Sequence, residues 1–344
     1  MAKKQIPSNT GPVPPLFNFA LRNVTEAAAR VVYDNIGRGR KDESNALAAA
    51  AMRDELAKLP VSATVVAGDA YKDTMNVATS LYNGEKVGNP DANLKFDIAV
   101  DPVEGTGYLA KGMTNAMAVI AMAPEGSMFD PGPAFYMEKF AGPKEAQGKI
   151  DPEAPLEDKL GALSKALGKP VSELTIFILE KPRHQRLIER IYQSGARVAL
   201  YPAGDVAGAL MAAIPDSGID AMIGTGGVPE GIISACAIRA MGGVFMGRLD
   251  PQLPSEQIAV KAAGMDTKTW HRCSSLVKSD QIYFSATGIT TGLLFKGIKR
   301  KDGLERTETL IISGASKERQ ILTTYHNLSG NVPSSEPETE NAKK

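Results

Sequence analysis

The sequence predicts an α/β fold, with an α+β N-terminal part and an α/β C-terminal part built from alternating helix and sheet layers. The chain has 344 residues, of which 43% are hydrophobic, so it can bury a large core. Strand-like apolar runs separated by loops fill the first half, whereas helices and strands alternate in the second half as in parallel α/β layers. We therefore expect an α+β domain over residues 15–170 and an α/β domain over residues 171–328. Residues 1–14 and 329–344, which lack apolar periodicity, are predicted to be mobile tails.

The N-terminal half begins with two predicted helices. Thr25 is a typical cap residue for a helix that would run to Asn35, and the second helix is predicted over residues 43–59. Gly37 and Gly39 separate the two helices in a charged loop. Four strands are then predicted, at residues 63–67, 96–100, 116–122 and 134–140.

The C-terminal half shows the regular alternation. Helices are predicted at residues 156–167, 182–194, 206–214 and 229–241, and strands at residues 175–179, 197–201 and 219–223. Strands return after residue 281. A hairpin is predicted at Lys301-Asp302-Gly303, because Asp-Gly favours a tight turn between antiparallel strands.

Composition argues against several classes of protein. The 39 basic and 39 acidic residues balance, which disfavours a nucleic acid or a membrane surface as a partner held by bulk charge. Cys236 and Cys273 lack C-x-x-C spacing, so we expect neither a disulfide framework nor a zinc site, and a cytoplasmic protein. The N-terminus has no apolar signal core, and no apolar run is long enough to cross a bilayer. Three scattered histidines and the lack of a G-x-x-x-x-G-K-[ST] segment disfavour a histidine metal site and a P-loop.

The segment Asp101-Pro102-Val103-Glu104-Gly105-Thr106 has the most informative chemistry. It follows the apolar run 96–100, so two carboxylates and a hydroxyl are expected where a buried strand ends. Oxygen ligands without a nearby histidine suit Mg²⁺ or Mn²⁺, which can bridge a phosphate and lower the pKa of a water. The pattern favours hydrolysis of a phosphate ester. The structural alternative is a turn in which Asp101 caps a helix and Glu104 is solvated.

Two further segments follow predicted strands. The glycine-rich segment 224–231 leads into a helix, where backbone N–H groups can approach a phosphate and Glu230 can reach a metal, or where the glycines only form a turn. Lys181 and Arg183 follow the strand 175–179. They either clamp a second phosphate or belong to a solvated helix start.

Three other features leave structural and functional alternatives open. Asp205 is either an acceptor for a sugar hydroxyl or the cap of the next helix. The loops 37–45 and 68–73 either close over a charged ligand or are solvated turns.

With these residues together, the chain resembles the class II fructose-1,6-bisphosphatases of the lithium-sensitive, metal-dependent sugar and inositol phosphatase superfamily, over about residues 17–328. The matching segments occur in the family's order and spacing. They are Asp101-Pro102-Val103-Glu104-Gly105-Thr106, Tyr136-Met137-Glu138-Lys139, Lys181-Pro182-Arg183-His184, Gly204-Asp205-Val206, Gly226-Gly227-Val228-Pro229-Glu230-Gly231 and Phe284-Ser285-Ala286-Thr287-Gly288-Ile289-Thr290.

The resemblance implies hydrolysis of the 1-phosphate of fructose 1,6-bisphosphate with Mn²⁺ or Mg²⁺, in gluconeogenesis, by a homodimer or homotetramer. The implied metal ligands stand at Asn45, Asp69, Asp101, Glu104 and Glu230. The implied catalytic residues are Asp101, Glu104, Lys41 and Thr106, of which Thr106 would help to position the attacking water. The implied substrate contacts are Glu104, Gly105, Thr106, Tyr136, Lys181, Pro182, Arg183, Ala203, Gly204, Asp205 and Gly227.

Three parts of the sequence depart from the family's pattern. In the G-R-G-D-K-N-x-x-D loop, Arg40 replaces the first acid and Asn45 replaces the last, so that a charged oxygen becomes an amide. Asp69 stands where the family has a longer ligand glutamate, and Ala203 replaces the first aspartate of D-G-D-V. Because a lost carboxylate removes negative charge that would hold a divalent ion, we expect weaker metal binding than in the relatives.

Two functional hypotheses follow. The first is a metal-dependent sugar bisphosphate phosphatase that acts on fructose 1,6-bisphosphate, with sedoheptulose 1,7-bisphosphate as an alternative substrate. The second is a non-catalytic paralogue that keeps the pocket and serves as a partner subunit or sugar-phosphate sensor. The departures in the metal loops motivate the second hypothesis.

Overall fold

The computed structural model describes residues 17–68 and 80–328. The two predicted tails and Asp69 lie outside these residues. The helices are α1 (Phe17–Val31), α2 (Lys41–Ala57), α3 (Thr106–Lys111), α4 (Leu156–Leu167), α5 (Gln185–Gln193), α6 (Asp205–Ala213), α7 (Val228–Met241), α8 (Pro254–Ala262) and α9 (Cys273–Leu276). The strands are β1 (Val61–Ala67), β2 (Lys86–Gly88), β3 (Leu94–Glu104), β4 (Met117–Pro124), β5 (Tyr136–Gly142), β6 (Thr175–Leu179), β7 (Arg197–Tyr201), β8 (Ala221–Gly227), β9 (Val244–Leu249), β10 (His271–Arg272), β11 (Tyr283–Gly288), β12 (Lys299–Lys301), β13 (Leu304–Ser313) and β14 (Glu318–Asn327).

The strands form two sheets. The first has the order β12-β13-β11-β4-β3-β1-β2, with β14 also paired to β13, and the second has the order β10-β9-β5-β8-β6-β7. In the second sheet β6 runs parallel to β7 and β8, as the alternating pattern predicts. β5 is antiparallel to both of its neighbours, β8 and β9.

Helices lie between the sheets and on both outer faces. The central layer consists of α6 and α7, and α7 contacts β3 and β4 of the first sheet and β5, β8 and β9 of the second. Apolar residues of α1 and α2 cover the outer face of the first sheet, and those of α4 and α5 cover the outer face of the second. The predicted α/β class with alternating helix and sheet layers is therefore confirmed.

Several elements match their predicted bounds. α4, β6 and β7 begin and end where the sequence pattern places them, and α2 is shifted by two residues. In the hairpin between β12 and β13, Asp302 and Gly303 have φ values of 52° and 72°. Both values are those of the tight turn that Asp-Gly favours, so the hairpin prediction is confirmed.

The predicted cap at Thr25 is wrong. Thr25 lies inside α1, which begins at Phe17 and ends at Val31. The Thr25 hydroxyl donates to the carbonyl of Arg22 at 3.1 Å and contacts the Ser285 hydroxyl of β11 at 2.7 Å. A tertiary contact therefore accounts for a polar residue that, from the local sequence, resembles a helix start.

Two strands run further than predicted. β3 continues through Asp101 to Glu104, and its pairing with β4 is irregular between these two residues. β8 includes Gly224 to Gly227, which were expected to form a turn. This stretch instead continues the strand, because it pairs with β5 from Tyr136 onward. The predicted helix 182–194 is a 3-10 turn followed by α5, and α3 was not predicted.

The two sheets do not divide the chain at residue 170. β5 belongs to the second sheet, and β11 to β14 belong to the first. The bounds 15–170 and 171–328 stay a prediction. Both cysteines are free thiols, and none of the described helices is long and apolar enough to cross a membrane.

Candidate active site

A cleft of about 730 Å³ lies where the end of β3 meets the starts of α3, α6 and α7. Most residues that the sequence singled out line it. They are Lys41, Asn45, Asp101, Glu104, Gly105, Thr106, Lys181, Arg183, Ala203, Gly204, Asp205, Gly227 and Glu230. Two predicted substrate contacts, Pro182 and Tyr136, are not among the residues that line it. The Arg183 guanidinium packs 5.0 Å from the centre of the Tyr136 ring. The position of Asp69 is outside the described residues.

Residues at the end of β3 line one side of the cleft. The irregular pairing between Asp101 and Glu104 is typical of a β-bulge, which redirects side chains locally. The Asp101 carboxylate accepts the N–H of Val103 at 3.0 Å. Gly105 has a φ of 81°, a left-handed conformation that glycine adopts without strain, and Thr106 then begins α3.

Glu104 is the most perturbed acid of the cleft. Its side chain is buried, and Oε1 accepts the N–H of Val206 at 3.4 Å. Oε2 is buried and has no hydrogen-bond partner among the described residues. Burial, followed by the negative charges of Glu230 and Asp205, raises the pKa of Glu104 to about 8. A carboxylate in these surroundings would be stabilised in its charged form by an added cation.

Two further acids of the cleft, Asp205 and Glu230, lie at the starts of α6 and α7. Asp205 is the first residue of α6 and its carboxylate forms an ion pair with Lys139 of β5, so the alternative that Asp205 caps the helix is wrong. Glu230 lies in the first turn of α7, as predicted. A Cβ at Gly227 would lie 1.9 Å from Glu230 Oε2, so the glycine makes room for this carboxylate.

The ligand atoms of the cleft are of the type that binds a hard divalent cation, but among the described residues they are not gathered into a metal-binding group. Asp101, Glu104 and Glu230 offer oxygen ligands only, the type that Mg²⁺ and Mn²⁺ prefer. However, within residues 17–68 and 80–328 no three acidic, histidine or cysteine side chains are gathered as a metal-binding group. The three acids line one cleft, and the negative charge of Glu230 acts on Glu104.

The turn after β6 places positive charge at the same cleft. Arg183 donates from Nε and Nη2 to the carbonyl of Thr225 at 2.9 and 2.8 Å, which fixes the guanidinium beside Lys181. His184 lies beneath it, with Nδ1 2.7 Å from the carbonyl of Leu179 and Nε2 accepting the N–H of Thr225 at 2.8 Å. Burial lowers the pKa of His184, so the neutral ring supports the turn.

Two residues beside the site, Lys139 and Tyr108, have no role predicted from the sequence. Lys139 is 1% exposed and reaches Asp205 from the middle of β5. Its signal in the sequence is a lysine in a strand that is otherwise mostly apolar. The Tyr108 hydroxyl donates to the carbonyl of Ala203 at 2.7 Å and accepts its N–H at 2.8 Å. Tyr108 thereby ties α3 to the loop that carries Asp205.

The chain is similar to known proteins over most of its length. Residues 17–326 match the family model described as bacterial fructose-1,6-bisphosphatase, glpX-encoded. The chain is 41% identical over 323 residues to fructose-1,6-bisphosphatase 1 class 2 of Escherichia coli strain K12 and to fructose-1,6-bisphosphatase class 2 of Shigella flexneri, covering 90% of this chain and 95% of each relative. Among solved structures, an extragenic suppressor from Pyrococcus furiosus is 11% identical, with 58% of this chain and 71% of that chain covered. Its TM-score of 0.31 does not establish a common fold.

Proposed function

The chain belongs to the bacterial, glpX-encoded class II fructose-1,6-bisphosphatase family, and from that premise we propose that it removes the 1-phosphate of fructose 1,6-bisphosphate with the help of Mn²⁺ or Mg²⁺. The products are fructose 6-phosphate and inorganic phosphate, and the reaction belongs to gluconeogenesis. Assembly as a homodimer or homotetramer is part of the same proposal.

The observation that carries the proposal is the buried Glu104 carboxylate. One of its oxygens lacks a hydrogen-bond partner in the described part of the chain, and Glu230 and Asp205 add negative charge around it. A buried acid of this kind is costly unless a cation compensates it. Lys181 and Arg183 line the same cleft, so a phosphorylated sugar would meet an acidic region at one end and a basic region at the other.

The residues divide the work between binding and chemistry. Lys181 and Arg183 hold the phosphate that is not cleaved, and Asp205 accepts a hydroxyl of the sugar. Asp101, Glu104 and Glu230 would hold the cation, with Asn45 as a weaker oxygen donor. When bound, a divalent cation would neutralise charge at the phosphate that is cleaved and would make a water more acidic. The Thr106 hydroxyl orients the attacking water, and Lys41 adds positive charge beside the phosphate that is cleaved.

Phosphate release tests the proposal directly. We expect turnover of fructose 1,6-bisphosphate that depends on Mn²⁺ or Mg²⁺ and is lost in Asp101→Asn, while phosphorus NMR identifies fructose 6-phosphate as the product. Asp302→Asn is the matched control, since Asp302 lies in the exposed β12–β13 turn and does not line the cleft. Full turnover in the presence of a chelator, or in Asp101→Asn, would refute the proposal. A parallel assay with sedoheptulose 1,7-bisphosphate decides which sugar is preferred.

Asn45 favours a second candidate, a sugar-phosphate-binding paralogue without turnover. An amide at a cleft position where the family has a ligand acid weakens the hold on a divalent ion by about 1.5–3 kcal/mol. The second candidate predicts that fructose 6-phosphate binds while no phosphate is released at saturating Mn²⁺. For the enzyme, Asn45→Asp is expected to lower the Mn²⁺ concentration needed for half-maximal activity by about tenfold or more.

A further inference from the structure

The ammonium group of Lys139 is a buried positive charge that pairs with Asp205, a residue that lines the cleft. Lys139 lies in the middle of β5, which has β8 on one side and β9 on the other. Its side chain is only 1% exposed, so the ammonium group is almost completely removed from water. Burying an ammonium is costly unless an acid pairs with it, and here Asp205 does so.

The surrounding backbone leaves space for this pair. A Cβ at Gly226 would lie 1.7 Å from Asp205 Oδ2, the oxygen that meets Lys139. A Cβ at Gly231 would lie 3.1 Å from Lys139 Cε and 3.7 Å from its Nζ. Two glycines from β8 and α7 therefore border the ion pair, one on the side of each partner.

The second oxygen of Asp205 is available for another bond. Oδ1 is buried and has no hydrogen-bond partner within the described residues, while Asp205 itself lines the cleft. With Oδ2 held by Lys139, the orientation of the carboxylate is set, and Oδ1 is the oxygen left for a ligand in the cleft. An ionised acceptor in fixed orientation is well suited to a sugar hydroxyl.

We propose that Lys139 is a positioning residue, whose buried ammonium fixes the Asp205 carboxylate so that Oδ1 accepts a hydroxyl of the sugar phosphate. This role rests on the proposed function, because it assigns Asp205 to the sugar. Lys139 itself touches neither the sugar nor the phosphates. Its effect on the substrate passes through Asp205 alone.

A double-mutant cycle tests this dependence. Lys139→Met, Asp205→Asn and the double variant are compared with the unsubstituted protein for KM and kcat with fructose 1,6-bisphosphate at saturating Mn²⁺. Each single change is expected to raise KM by about tenfold or more, and the double variant no further than the larger single effect. The effect on kcat is expected to be smaller than the effect on KM. Effects on KM that multiply, or an unchanged KM in Lys139→Met, would overturn the proposal.

Further comparisons distinguish the positioning role of Lys139 from an effect on folding and from the hydrolysis proposal. If Lys139→Met does not fold, the comparison of Asp205→Asn with the double variant decides, since an equal KM supports the proposal and a further rise overturns it. Lys169→Met is the matched control, because it breaks another lysine–aspartate pair, with Asp220 at 2.7 Å, outside the cleft, and should leave KM unchanged. If the unsubstituted protein releases no phosphate, the hydrolysis proposal fails, whereas calorimetric binding of fructose 6-phosphate across the same variants still tests Lys139.

Discussion

Gly226→Ala is the substitution for which the structure gives the clearest magnitude. The added Cβ would lie 1.7 Å from Asp205 Oδ2, whereas real Cβ contacts are essentially never shorter than 3.0 Å. The Asp205 carboxylate must therefore withdraw by roughly 1.3 Å or more, a displacement on the scale at which misplaced groups lose catalytic effect. Backbone movement is restricted, because Gly226 is paired with Met137 in the second sheet.

Withdrawal of Asp205 separates it from Lys139 and leaves a buried ammonium without its partner. Breaking a buried ion pair from one side costs about 3–5 kcal/mol. We expect Gly226→Ala to lower the free energy of unfolding by about 3 kcal/mol and kcat/KM by about 100-fold. Urea unfolding and steady-state phosphate release measure the two quantities.

Gly161→Ala is the matched control for this substitution. Gly161 lies inside α4, and a Cβ there has no other heavy atom within 4 Å. Alanine is the better helix former, so this variant should gain about 0.5–1 kcal/mol of stability and keep its activity. A Gly226→Ala protein as stable and active as the unsubstituted one would show that Asp205 can move without cost, and the steric argument would then fail.

Three more predictions concern buried polar groups near the site. Tyr108→Phe removes both hydrogen bonds to the Ala203 backbone and should lower the free energy of unfolding, measured with urea, by about 1–3 kcal/mol. A change within experimental error would contradict this. Glu256→Ala deprives four backbone N–H groups of a buried acceptor and should lower the free energy of unfolding by at least about 3 kcal/mol. Glu256→Gln should be intermediate. Equal midpoints of thermal unfolding for the unsubstituted protein and Glu256→Ala would contradict this. Burial lowers the pKa of His184, so its contribution to stability is present above the unfolded value of about 6.5 and is lost as the pH falls through the folded value. The difference in stability between the unsubstituted protein and His184→Asn should shrink from pH 7 to pH 5, and parallel curves would refute this.

The elements that could be predicted are those whose signal is local. α4 has an apolar stripe at helical spacing, β6 and β7 are short strand-like runs bounded by polar residues, and the Asp302-Gly303 turn depends on two adjacent residues. Asp101, Glu104 and Thr106 line the cleft, and the apolar run before them is the local signal of the buried strand that leads there.

The features that could not be predicted depend on partners far away in the sequence. Thr25 has the composition of a cap, but its hydroxyl contacts Ser285, 260 residues later. The glycines of β8 suggested a phosphate-binding turn, whereas Gly226 makes room for Asp205 and Gly227 makes room for Glu230. A local pattern shows that a side chain is absent at these positions, but it cannot show which other side chain fills the space.

The cleft depends on both sheets at once, and this determines how the chain can be divided. Asp101 and Glu104 come from β3 of the first sheet, while Lys181 and Arg183 follow β6 of the second. A cut at residue 170 would separate these two pairs. It would also take β11 to β14 from the first sheet and β5 from the second. Because each piece would lose paired strands and half of the charged groups, neither piece retains the cleft, and its chemistry belongs to the undivided chain.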